Sequence, residues 1–96
     1  MNRYSRFAEI LQDETIINKS KTVAVLLEEF AKKQKLSIKE QLDILLRTLK
    51  ETFDKTNLDD VESIKTFAFN FHLVKEIAIN AGISAEKIIN DIKEIL

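Results

Sequence analysis

One glycine and no proline interrupt a chain of 96 residues. An all-β fold of that length needs many tight turns, and those turns draw on glycine and proline for their special backbone angles. A phosphate-cradling loop needs a cluster of glycines that is equally absent. The chain is therefore built from long uninterrupted segments, and its apolar residues recur at helical spacing nearly throughout. The fold expected is all-α, a compact antiparallel bundle of four to five amphipathic helices, with residues 1–96 forming a single domain.

Composition narrows the function. Hydrophobic residues make up 45% of the chain, too many for a disordered segment. Without cysteine there is neither a disulfide framework nor a thiolate metal site. The net charge of -1 argues against a dedicated nucleic-acid coat, which would be strongly basic. The longest apolar run is Val23-Ala24-Val25-Leu26-Leu27, far short of the ~20 residues of a membrane span. The start carries no apolar stretch of signal-peptide length, so a cytoplasmic location is expected. Frequent Ile, Lys and Asn fit an AT-rich bacterial, phage or plasmid gene.

Five segments carry the helical pattern. Residues from about 3 to 13 place Phe7, Ile10 and Leu11 on one face. A second helix is expected from about Ser20 to Lys35, capped by Asn18 or Ser20, with Ile16 and Ile17 assignable to it or to a joining turn. Val23, Leu26, Leu27, Phe30 and Ala31 share one arc of it, and Glu28 and Glu29 stand four residues before Lys32 and Lys33, the spacing of helical ion pairs. Ser37 and Glu40 form a capping box at the start of the third helix, whose apolar stripe is Ile38, Leu42, Leu45, Leu46, Leu49 and Phe53. A fourth helix is expected to open at Asn57 or Asp59, with Asp59 and Glu62 as a second capping box, and to run to Ala81. Gly82 stands where a helix end favours a left-handed residue, followed by Ile83 as in a Schellman motif. Ser84 caps a last helix with Ala85, Ile88, Ile89, Ile92, Ile95 and Leu96 along one face.

Signals for catalysis are sparse. His72 is the one histidine, with Glu76 four residues on and Lys65 seven before. A His–Glu base can be drawn from these, but no nucleophile or oxyanion donor is placed beside it. The plainer expectation is a partly exposed histidine on a polar stripe, paired with Glu76. Asp59, Asp60 and Glu62 lack the spacing and glycine of a calcium loop, and helix capping with dipole pairing accounts for all three. The expectation is a non-enzymatic protein with no cofactor, no metal and no small-molecule substrate.

Residues 77–88 resemble a helix-turn-helix pattern through Ala78, Gly82, Ile83, Ser84 and Ile88. The resemblance implies a DNA-binding regulator using residues 77–96, with Ser84, Lys87 and Asn90 facing the nucleic acid. Asp91 occupies the next expected core position, and Glu86, Asp91 and Glu94 set negative charge against phosphates. DNA binding is therefore the second reading.

The first reading rests on surplus apolar surface. Beside the main arc of the fourth helix (Ile64, Phe67, Ala68, Phe71, Val74, Ala78 and Ala81) runs a second seam, Phe69, Leu73 and Ile77. Either the first or last helix covers that seam, or it meets a protein partner or a second copy of the chain. Polar Thr66, Asn70 and Asn80 near the seam favour the latter. Charge is uneven too: residues 1–50 carry net +3 and residues 51–96 net -4. Lys32, Lys33 and Lys35 are candidates for an electrostatic rim. Size, charge and helical content fit a small regulatory protein of inhibitor, immunity or adaptor type, and the expectation is that Phe69, Leu73 and Ile77 meet a protein partner or a second copy of the chain in a homo-oligomer.

Overall fold

A computed structural model describes residues 3–96. Their secondary structure is all helical: α1 (Arg3–Leu11), α2 (Glu14–Lys33), α3 (Ile38–Asp54), α4 (Val61–Asn80) and α5 (Ala85–Ile95). The all-α bundle expected from the sequence is the fold observed.

Helix ends follow local chemistry. Ser37 and Glu40 make both halves of the capping box at 3.1 Å, which holds the Glu40 carboxyl below its usual range, chiefly through the Ser37 backbone N–H. Gly82 takes φ +88° and closes α4 in a Schellman motif, with the Ile83 N–H donating to the Ala78 carbonyl at 2.9 Å. The same motif ends α2, where the Leu36 N–H donates to the Ala31 carbonyl at 3.0 Å. There the left-handed residue is Lys35, at φ 57°. A side chain in that conformation costs about 1 kcal/mol relative to glycine.

Two boundaries differ from the sequence reading. The second helix begins at Glu14, not near Ser20, because Asp13 is its cap: the Asp13 carboxylate accepts the Thr15 N–H at 2.8 Å. Ile16 and Ile17 therefore lie inside α2, and Ser20 is a buried mid-helix residue whose hydroxyl donates to the Ile17 carbonyl. At α4 the cap is Asp60, which accepts the Glu62 N–H, while Asp59 pairs with Arg3 at 3.2 Å.

α4 is the hub. Each of the other four helices packs on it, and α3 and α5 also meet, narrowly; α2 and α3 do not form a close pair. Eight residues of α4 are buried: Ile64, Phe67, Ala68, His72, Leu73, Val74, Ile77 and Ala78. α2 buries Ile16, Ser20, Ala24 and Ala31, mostly small residues, and packs half-buried Val23 and Leu27 against the same core. Small residues let two helices approach closely, so the bulk of α4 fills the space that α2 leaves. The Phe67 ring ties in α1 and α3, lying 5.7 Å from Phe7 and 5.5 Å from Phe53 between centroids.

This packing corrects the expectation of a free second seam. Leu73 and Ile77 belong to the same buried cluster as Ala24, and Phe69, half-buried, packs against it. The cluster that encloses them also takes in Ile88 and Ile92 of α5, with Phe7 and Leu11 of α1 packed against it. The nearby polar groups are also used within the chain: Asn70 donates to the Thr52 hydroxyl, Asn80 to the Glu28 carboxylate, and Thr66 to the Glu62 carbonyl.

The small face of α2 gives a direct test. Ala24→Leu is expected to lower the unfolding free energy by about 1–3 kcal/mol in urea, since the added methylenes have no room against α4. Val25→Leu, one residue on and exposed, is expected to stay within about 0.5 kcal/mol of the parent.

Candidate docking cleft between helices 2 and 3

α2 and α3 each pack on α4 and make no close pair with one another. Between them opens an apolar cleft lined by Leu27, Phe30, Ala31, Leu36, Gln41, Ile44 and Leu45, with a volume of about 170 Å³. Its walls are unusually exposed for such residues: Phe30 is 57% exposed and Ile44 49%, with Leu26 at 59% one turn before Phe30. A cavity near 150 Å³ accepts one benzene ring, whereas sites for larger organic ligands run from about 300 Å³ upward. The cleft is thus sized for one aromatic or branched side chain of a partner. A second depression, lined by Glu28, Lys32, Leu36, Ile38, Gln41, Asn80 and Ala81, shares Leu36 and Gln41 with the first. The second depression lies against the end of α4, through Asn80 and Ala81.

The charges around the groove are only partly paired. Lys32, Lys33, Lys35 and Lys39 are exposed, and no ion pair within 4.0 Å involves them among the described residues. The expected Glu28–Lys32 and Glu29–Lys33 pairs do not form; Glu28 instead accepts from Asn80 at 2.9 Å. The three lysines singled out from sequence, Lys32, Lys33 and Lys35, therefore flank the α2–α3 groove, remote in sequence from the α4 seam to which they were assigned.

Sequence reasoning missed Phe30 and Ile44 as exposed candidates and half-buried Leu36 as a lining residue. Phe30 shares an arc of α2 with Val23, Leu26, Leu27 and Ala31, and of these five only Ala31 is buried. Ile44 did carry a signal: at 100° per residue it lies about 160° from Leu42, on the polar side of α3.

The remaining candidates are placed as follows. Ser84 caps α5, accepting the Lys87 N–H at 3.2 Å, and the Lys87 ammonium pairs with Asp91 at 3.1 Å. Asn90 is exposed on α5. Glu62 pairs with Lys65 at 3.6 Å, and no group of three or more acidic or histidine side chains suited to a metal ion occurs among the described residues. No helix there is long and apolar enough to cross a membrane.

His72 is buried, contrary to the partly exposed, Glu76-paired position expected. Its Nε2–H donates to the Leu11 carbonyl, pinning the end of α1 to α4, while Nδ1 is buried without a hydrogen-bond partner. A carbonyl only accepts, so the neutral Nε2–H tautomer fits this site. Burial pushes the imidazole pKa below its ordinary value, aided by Lys75 and opposed by the Leu11 carbonyl and Glu76. Because the folded state disfavours the charged form, His72 contributes stability above about pH 6.5 that is lost as pH falls further. The melting temperature is expected to drop between about pH 7.5 and pH 5, and His72→Gln is expected to flatten that dependence. An unchanged slope in the variant would show that His72 is not the titrating group.

No protein-family model, curated protein or solved structure matches the chain.

Proposed function

We propose that this chain is a non-enzymatic protein-binding module, of regulatory, inhibitor or adaptor kind, and that its docking surface is the groove between α2 and α3. The observation that supports the reading is the exposure of Phe30 and Ile44 in the wall of an apolar cleft of one-side-chain size, with exposed Leu26 one turn before Phe30. Isolated exposed apolar residues are ordinary on a protein surface; a contiguous set around a concavity is the form that interaction sites take. Hot spots of protein interfaces likewise centre on an aromatic or aliphatic anchor seated in an apolar pocket. The one histidine of the chain is used structurally, as a buried link between α1 and α4.

The reading is tested with the purified protein and a random peptide library displayed on phage. Selected peptides are expected to lose binding to Phe30→Ser and Ile44→Ser and to retain it on Ile79→Ser, an exposed residue on α4 outside the groove. Melting temperatures within a few degrees of the parent would establish that the variants fold, as substitutions at exposed positions normally permit. Selected peptides indifferent to both groove substitutions, or no selected peptide at all, would contradict the proposal.

A further inference from the structure

Apart from the groove, we infer that α1 is an acid-released flap, which undocks from α4 when His72 takes up a proton while the other four helices stay folded. None of the nine residues of α1 is buried; Phe7 and Leu11 reach the core from half-buried positions. α1 packs on α4 and makes no close pair with any other helix. Isolated helices of fewer than about 12 residues are marginal in water, so α1 unravels once it leaves α4. The next helix keeps its own start, because its cap is made by Asp13 with the Thr15 N–H.

His72 ties down the end of α1, its Nε2–H donating to the Leu11 carbonyl 61 residues away in sequence. The residue is 4% exposed, and its Nδ1 is enclosed with no hydrogen-bond partner. Nε2 already carries a hydrogen, so an added proton goes onto Nδ1. The closed bundle gives that new N–H no acceptor, and no ion pair within 4.0 Å involves the ring among the described residues. The charges that act on the ring are Lys75 and Glu76, both on α4 and opposed in sign. α1 faces it with the neutral Leu11 carbonyl, and no charge from α2, α3 or α5 acts on it among the described residues. A charged donor enclosed without an acceptor is costly.

The smallest disruption that wets the ring is to move the helix held least. α2, α3 and α5 each bury side chains in the bundle, and α1 buries none. Local openings are drawn from such weakly held elements. The far end of α1 is tied by the exposed Arg3–Asp59 pair at 3.2 Å, of a kind that contributes little. Undocking uncovers His72 together with one face of Phe67, whose ring stacks on Phe7 at 5.7 Å. The closed form keeps His72 neutral and the open form returns it to its ordinary range. Closure is therefore at full strength above about pH 6.5 and weakens below it, by at most about tenfold per pH unit for one proton.

Native-state hydrogen exchange on the full chain reads the helices separately. Amides of residues 7–11 report α1, since the first four N–H groups of a helix lack helical partners, and those of residues 64–78 report α4. With exchange referred to the unstructured chain at each pH, α1 is expected to be the less protected helix throughout. Its protection is expected to fall between pH 7.5 and pH 5, by up to about tenfold per pH unit below about pH 6.5. His72→Gln keeps a side-chain N–H for the Leu11 carbonyl and does not titrate, so its α1 protection is expected to be independent of pH. Titration of the ring by NMR, unambiguous for the one histidine of the chain, needs no variant: the ring is expected to charge only where α1 protection is gone. A ring that charges while α1 stays protected would overturn the inference, because the closed bundle would then accommodate the proton. Equal protection of α1 and α4 at pH 5 would overturn it by showing one opening of the whole bundle. So would α1 protection that does not change with pH, or an equal pH dependence in His72→Gln.

Discussion

Everything in this fold leans on α4 being buried on more than one side. A helix of 20 residues with eight buried side chains cannot sit at the edge of a bundle. It needs neighbours on several flanks, and the chain supplies them in two ways. α1 and α3 bring Phe7 and Phe53 to the Phe67 ring, and α5 brings Ile88 and Ile92 to the same interior. α2 buries Ile16, Ser20, Ala24 and Ala31 and packs Val23 and Leu27 against the cluster that holds Leu73 and Ile77. Dense packing against small residues is what turns an apparent surplus of apolar surface into an ordinary interior.

The cleft is a geometric consequence of that arrangement. α2 and α3 are each committed to α4, so neither is free to close on the other near their connecting turn. The larger side chains of α2, Leu26 and Phe30, flank its small face and are left beside the opening. On α3, Ile44 points away from the stripe that includes Leu42 and Leu49. The apolar surplus is thus real but displaced. It belongs to the margins of two helices that share a hub, and the lysine-rich turn joining them brings positive charge to the same place.

Much of the architecture was legible in the sequence because it depends on local rules. The capping box at Ser37, the left-handed Gly82 and the cap at Ser84 each involve residues within a few positions of one another. Their chemistry does not depend on the rest of the molecule. The start of α2 was misplaced because Asp13, Asn18 and Ser20 are all competent caps, and only the packing of Ile16 and Ser20 against the interior selects the first of them. The candidate site was legible in part. Lys32, Lys33 and Lys35 were found by charge alone, but their apolar companions were not, because hydrophobic periodicity reports which face of a helix is greasy and not which neighbour arrives to cover it. His72 shows the same limit: its acceptor, the Leu11 carbonyl, lies 61 residues away in sequence.

The account stands on one contrast, between apolar side chains of α4 that are enclosed and apolar side chains of α2 that are not. Equilibrium urea unfolding of Ile77→Ala and Phe30→Ala measures it directly. Truncating the fully enclosed Ile77 is predicted to cost about 2–5 kcal/mol, while truncating the exposed Phe30 is predicted to cost less than about 1 kcal/mol. A Phe30→Ala loss equal to or larger than that of Ile77→Ala would mean that Phe30 is part of the folded interior and that the groove is not open.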